Sequence, residues 1–189
     1  MITFIATAYN ESRHDSPFVD SMLNQKCKDW KAIIFHNGPN PKMKEWIQSY
    51  NDPRLQYYES LQNTGNWGTF NREQAVMYLV DTPYVINTSI QDYYLPCAVG
   101  DITEILKDGV DFLSWPAINH LYRYYPINGE LANGHIDWGQ FCVKTSIIKS
   151  TGIIGKDKFN GDWLTIHTIL KSGLLKKVKK LDKIITIHN

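Results

Sequence analysis

Net charge is nearly missing from this chain of 189 residues: 20 Lys and Arg stand against 19 Asp and Glu, a formal balance of +1. Nucleic-acid binders draw their affinity from an excess of phosphate-neutralising cations, so the balance argues against nucleic acid as a partner. Cysteine is scarce as well. Cys27, Cys97 and Cys142 lie far apart and outside any Cys-x-x-Cys pair. They make neither a disulfide framework nor a zinc site, and read as small apolar residues in a reducing compartment. No basic segment precedes an apolar one at the N-terminus, and no apolar run approaches the roughly 18 residues of a membrane span, so a cytoplasmic protein without stable membrane insertion is expected. Repeats and low-complexity tracts are absent. So are His-Glu-x-x-His, Gly-x-Ser-x-Gly, a Walker loop and Gly-x-Gly-x-x-Gly, which leaves zincin, serine hydrolase, P-loop and dinucleotide-dehydrogenase chemistry without support.

What the chain has is an alternation of short apolar runs and helical patterns. The opening, Ile2 to Asn10, is a short apolar run without helical spacing, a buried strand that stops on Thr-x-Tyr-Asn and places Thr7, Tyr9 and Asn10 at its carboxyl end. Asp15-Ser16-Pro17 then caps a helix whose apolar face is Phe18, Val19, Met22 and Leu23. Lys31 to Phe35 is a second strand, His36 to Asn40 a turn, and Pro41 to Tyr50 a helix. Arg54 to Tyr58 is a third strand, Trp67 to Val80 a helix, and Tyr84 to Asn87 a fourth strand. Such alternation predicts an α/β fold with a mainly parallel sheet covered on both faces.

Later the pattern loosens. Ala98 to Lys107 reads as a helix, Asp111 to Trp115 as a strand, and Pro116 to Asp137 as a long loop-rich stretch. Trp138 to Lys144 reads as a strand, Ser146 to Ser150 and Asp162 to Lys171 as helices, and Ile184 to His188 as a closing strand. The lysine run Lys176, Lys177, Lys179, Lys180 and Lys183, alternating with Val178 and Leu181, reads as an edge strand kept from aggregating by its charges. The length suits one domain, residues 1–189.

The opening Thr7-Ala8-Tyr9-Asn10 resembles the end of the first strand in family 2 glycosyltransferases of the GT-A (nucleotide-diphospho-sugar transferase) fold, and four further segments agree with it. Gln25-Lys26-Cys27-Lys28-Asp29-Trp30 matches the family's Gln-x-x-x-Asp-aromatic link. His36-Asn37-Gly38 falls where the family has Asp-Asp-Gly. Ser89-Ile90-Gln91-Asp92, followed by Pro96, sits like the metal-holding Asp-x-Asp-Asp segment but keeps only Asp92. Asn160-Gly161-Asp162-Trp163 resembles the Glu-Asp-Trp segment at the start of a helix.

The resemblance implies a transferase that moves a sugar from a nucleoside-diphosphate donor, a UDP-sugar first and a GDP-sugar second, to a glycan or other hydroxyl acceptor. Residues 1–97 would form the nucleotide-sugar half and 98–189 the acceptor half. Thr7, Tyr9, Asn10, Asn37, Arg72, Gln91 and Asp92 would hold the donor, Asp162 would be the general base of an inverting transfer, and Trp138 and Trp163 would border the acceptor. Asp92 and His188 would ligate Mn²⁺ or Mg²⁺; otherwise cations such as Arg72 would stabilise the leaving group. The bland readings are a turn cap for Asp92 and a dipole-favoured helix start for Asp162. The eroded acidic segment keeps open an inactive domain that binds nucleotide or glycan.

Overall fold

The computed structural model describes residues 1–65, 68–119, 125–155 and 160–188, with the backbone alone for Tyr125 and Pro126. In chain order, β1 (Ile2–Ala8), α1 (Pro17–Leu23), β2 (Trp30–His36), α2 (Pro41–Ser49) and β3 (Leu55–Glu59) come first. Next are α3 (Thr69–Gln74), continued by a π-helical turn over Ala75–Leu79, then β4 (Tyr84–Ser89), β5 (Tyr93–Tyr94), α4 (Ala98–Leu106) and β6 (Phe112–Ser114). The remainder is β7 (Ala117–Asn119), β8 (Tyr125–Ile127), β9 (Phe141–Lys144), α5 (Thr145–Thr151), α6 (Gly161–Lys171), β10 (Val178–Lys180) and β11 (Thr186–His188).

A seven-stranded sheet of order β10-β6-β9-β4-β1-β2-β3 forms the centre. All of its neighbours pair in parallel except β9, which runs against both β4 and β6. Alternate side chains of a strand point to opposite faces, and β1 supplies both cores by that rule. Phe4 and Ala6 join Phe18, Met22, Met43 and Tyr94 on one face, while Ile5 joins Val76, Phe141 and Ile166 on the other. A smaller sheet has the order β5-β11-β7-β8, and its strand β11 carries His188. Among the described residues no helix is long and apolar enough to cross a membrane.

Several expectations change. The helix expected from Trp67 starts at Thr69, Trp67 itself lying outside the described residues, and it widens into a π turn in which Val80 N donates to Ala75 O. The stretch 116–137 is not wholly irregular: β7 and β8 pair antiparallel, with 120–124 outside the described residues. The strand expected from Trp138 begins at Phe141, because Gly139 has φ +85° and turns the chain first. The lysine run does form the sheet edge, as β10.

Candidate active site

The parallel strands β1, β2 and β4 end side by side. Thr7 lies opposite Phe35 and Ser89 in register, Ile90 N donates to Thr7 O (3.0 Å), and Asn37 N donates to Ala8 O (2.8 Å). Ligands of open α/β sheets bind beyond this rim. A cavity of about 520 Å³ opens here, and Thr7, Tyr9, Asn37, Arg72 and Gln91 of the expected donor residues line it. Asn10 does not, and lines a neighbouring depression with Arg13 and Trp46. Ser89 of the aligned acidic segment lines it too, and Ala8, Glu11, Asn63, Gly65 and Gly68 join the wall without having been anticipated. Gly68 starts α3 at φ +71°, and a Cβ there would stand 2.9 Å from Cβ of Thr7, so only glycine brings the helix this close to β1.

Asn37 works through the neighbouring loop. Its Oδ1 accepts from Thr64 N and Thr64 Oγ1, both at 2.9 Å, and its Nδ2 donates to Asn63 Oδ1 at 2.8 Å. Gln25 is also internal: its Oε1 accepts from Val99 N at 3.0 Å, and its Nε2 donates to the carbonyls of Ser21 and Leu95.

Beside the cavity lies a group of buried and half-buried charges. Arg72 belongs to both: it lines the cavity, donates through Nη2 to Thr88 O (3.0 Å) and lies 5.3 Å from the centre of the Trp138 ring. Burial lowers its pKa to about 10 against the pull of Asp92, Asp137 and Asp162, so it remains a cation at neutral pH. Asp92 is wholly buried; one carboxylate oxygen accepts from Thr88 Oγ1 and Ser89 N, and the other meets His188 Nδ1 at 2.8 Å. His188 Nε2 in turn stands 3.1 Å from Asp137 Oδ2. With a carboxylate at each nitrogen, both nitrogens donate and the ring is an imidazolium. Burial opposes that charge, but the bonds from Asp137 and Asp92 outweigh it and lift the pKa to about 11.

Asp137 and Asp162 compete for one proton. Burial first, then the charge of Asp137 and that competition, raise Asp162 from 3.8 to about 7, while the Trp163 N–H and Arg72 pull it down. Asp137 moves the opposite way: burial raises it, and His188 with Asp162 outweigh that and lower it. Three acidic side chains thus face two cations, and Asp162 is raised towards neutrality.

The expected metal ligands, Asp92 and His188, are therefore brought together but bonded to each other. Every ligating atom of the pair is already engaged within the protein, and no group of three His, Cys, Asp or Glu suited to a metal ion occurs among the described residues. A carboxylate and an imidazole are nonetheless donors that Mn²⁺ accepts, and an ion held by them would replace the contact between the two. Trp138 stacks between Arg72 and Phe141, whereas Trp163 packs beside His167 and against the second core. Asp137 is the functional candidate that sequence reasoning missed. Its signal was present in outline, since Asp137-Trp138 repeats the acid-aromatic pair of Asp162-Trp163.

A mainly parallel sheet covered by helices, with one reversed strand and a cavity at its carboxyl rim, is the architecture of the GT-A class of fold. Comparison with solved structures agrees. The chain superposes on S. aureus TarS 1–349 with a TM-score of 0.83 at 14% identity, covering 100% of this chain and 60% of that one. The same protein in complex with UDP gives 0.82 at 16% identity over 98% of this chain and 59% of that one. The mannosyltransferase PcManGT from Pyrobaculum calidifontis, in complex with GDP-Man and Mn²⁺, gives 0.72 at 14% identity over 99% of this chain and 56% of that one. The chain thus spans about 60% or less of the length of these neighbours. No family model matches, and no curated protein matches.

Proposed function

We propose that this chain is a glycosyltransferase that takes a sugar from a nucleoside-diphosphate donor and delivers it, with inversion, to an acceptor hydroxyl. The observation that carries the reading is Arg72, which lines the cavity and also faces a carboxyl poised near pH 7. A general base for a hydroxyl works best with a pKa near the working pH, and few carboxyls have one. Neighbours of the same fold hold UDP, UDP-GlcNAc or GDP-Man, which supports a nucleotide-sugar in the cavity.

In the reaction, the base lies by Tyr9 and the loop held by Asn37, and the diphosphate faces Arg72. Asp162 accepts the proton of the acceptor hydroxyl as its oxygen attacks the anomeric carbon. The bond from that carbon to the diphosphate breaks, and the diphosphate leaves with the electron pair opposite Arg72. Residues 1–97 supply the donor side; residues 98–189 bring Asp137, Trp138 and Asp162 to the acceptor side. Asp92 and His188 are the residues that would hold a divalent cation, such as the Mn²⁺ present with GDP-Man in PcManGT, and it would offset the charge of the leaving diphosphate. The free thiols of Cys27, Cys97 and Cys142 suit a cytoplasmic site of action.

Thermal shift with UDP and GDP, each with and without Mn²⁺, tests the donor pocket, because a selective ligand raises stability by mass action. Transfer by Asp162→Asn tests the base. The expected result is at least about a hundredfold loss of rate with nucleotide affinity kept. Equal activity in variant and parent removes Asp162 from the mechanism, and donor binding without transfer or hydrolysis by the parent makes the chain a binding domain.

A further inference from the structure

Asn37, one of the expected donor residues, has no hydrogen-bonding atom left for a ligand. It is buried, at 4% exposure. Both lone pairs of its Oδ1 are taken, by Thr64 N and Thr64 Oγ1 at 2.9 Å each, and both hydrogens of its Nδ2 face acceptors, Asn63 Oδ1 at 2.8 Å and Gly65 O at 3.4 Å. Its work is to hold the segment Asn63-Thr64-Gly65 that follows β3. The turn after β2 braces the same segment from below: Gly38 N donates to Ser60 Oγ at 2.8 Å, and a Cβ at Gly38, where φ is +99°, would lie 3.3 Å from Asn63 N.

Asn63 is the polar side chain of that segment that stays available. Gly65 N, a backbone donor, bonds its Oδ1 at 2.8 Å, and Nδ2 of Asn37 bonds the same oxygen. Thr64 N, also a backbone donor, fixes which atom of the Asn37 amide is the oxygen, so the orientation of both amides is determined. With its oxygen turned into the loop, the Asn63 amide has Nδ2 on the opposite side, and no bond to that nitrogen occurs among the described residues. Asn63 is exposed and lines the cavity together with Tyr9 and Gly65.

We propose that Asn63 determines which nucleobase the cavity accepts: its Nδ2 donates to a ring carbonyl, uracil O4 or guanine O6, and so selects UDP or GDP donors over CDP and ADP donors. Cytosine and adenine carry an amino group where uracil and guanine carry that carbonyl. Two donors brought face to face leave both unpaired, whereas a donor and a carbonyl satisfy each other. The inference rests on the cavity being the donor pocket.

The test is calorimetric titration of UDP, GDP, CDP and ADP into the parent and into Asn63→Asp. This substitution keeps an Oδ1 for Gly65 N and Asn37 Nδ2 while turning the opposite atom from donor to acceptor. It also adds a negative charge that weakens every nucleoside diphosphate, so the readout is the affinity ratio within a pair of equal ring size, UDP to CDP and GDP to ADP. The parent is expected to favour UDP over CDP, or GDP over ADP, by about tenfold or more, and the variant to lower that ratio by about tenfold or more. Asn63→Ser, a second variant should the first fail to fold by circular dichroism, offers Gly65 N an oxygen and removes the donor, and its ratio should fall towards one. A residue that only braces the loop would change all affinities together; an unchanged ratio in a folded variant therefore overturns the proposal, with the donor pocket left standing. A parent that binds CDP as tightly as UDP and ADP as tightly as GDP overturns it as well. A parent that binds none of the four removes the donor pocket itself, and the proposal with it.

Discussion

Replacing Asp162 by Asn should stabilise the protein, and by an amount that grows with pH. Asp162 is raised from 3.8 to about 7 in the folded chain, a rise of about three units. A carboxyl with a raised folded pKa favours folding only while it is protonated. Its contribution is intact below about 3.8 and is lost as pH climbs from there through 7, because the unfolded chain ionises first. At about 1.4 kcal/mol per unit the ceiling is about 4 kcal/mol. Asp137 is lowered by sharing the same proton, which returns part of that. Asn mimics the protonated form in size and can still donate to Asp137. The stability gain of Asp162→Asn over the parent, from urea unfolding, should therefore be smallest at pH 4.5, increase towards pH 7.5 by no more than about 3 kcal/mol, and level off above it. A gain that is flat across this range would refute the buried-charge account of Asp162, whatever the protein transfers.

Gly139→Ala should cost about 2–4 kcal/mol in urea unfolding and weaken nucleotide binding, since its Cβ would meet Asp92 Oδ2 at 2.9 Å and Thr88 Oγ1 at 3.1 Å from a backbone at φ +85°. Asn37→Ala leaves the Thr64 N–H without its acceptor; a loss of about 1–3 kcal/mol and a weaker thermal shift by nucleotide are expected, because Asn63 and Gly65 of the same loop wall the cavity. Arg72→Lys cannot both bond Thr88 O and lie over Trp138, and calorimetric titration should show nucleoside-diphosphate affinity lowered by about tenfold or more.

The first half of the fold was legible because local signals and burial agree there. β1 and β2 are mainly apolar and almost wholly buried, α2 has Asn40 capping Met43 N ahead of Pro41, and the strand ends carry polar residues onto one rim. Thr7, Tyr9, Asn37, Arg72 and Gln91 share a cavity because each follows or lies beside such an end. The second half was harder for three physical reasons. Three-residue strands such as β7 and β11 are too short to show a period of two. The reversal of β9 is a matter of pairing, invisible in its own four residues. The engagement of His188 with Asp92 spans 96 positions, so no spacing rule could reveal that two expected metal ligands bind each other. Asp137 was hidden for the same reason, as an acid in a loop with its partners far along the chain.

β11 has a kinetic consequence. It is three residues long, yet it delivers His188 to Asp92 and Asp137, and Thr186 to the buried indole of Trp115 at 3.0 Å. Contacts closed over so long a loop form late in folding, and so short a strand opens at a lower free energy than the central sheet. The acid cluster is then the last part of the molecule to be assembled and the first to open. In mild denaturant, amide exchange in β11 and the environment of Trp115 should change while β1, β2 and β4 stay protected, and the protein would lose its charge arrangement well before it loses its fold.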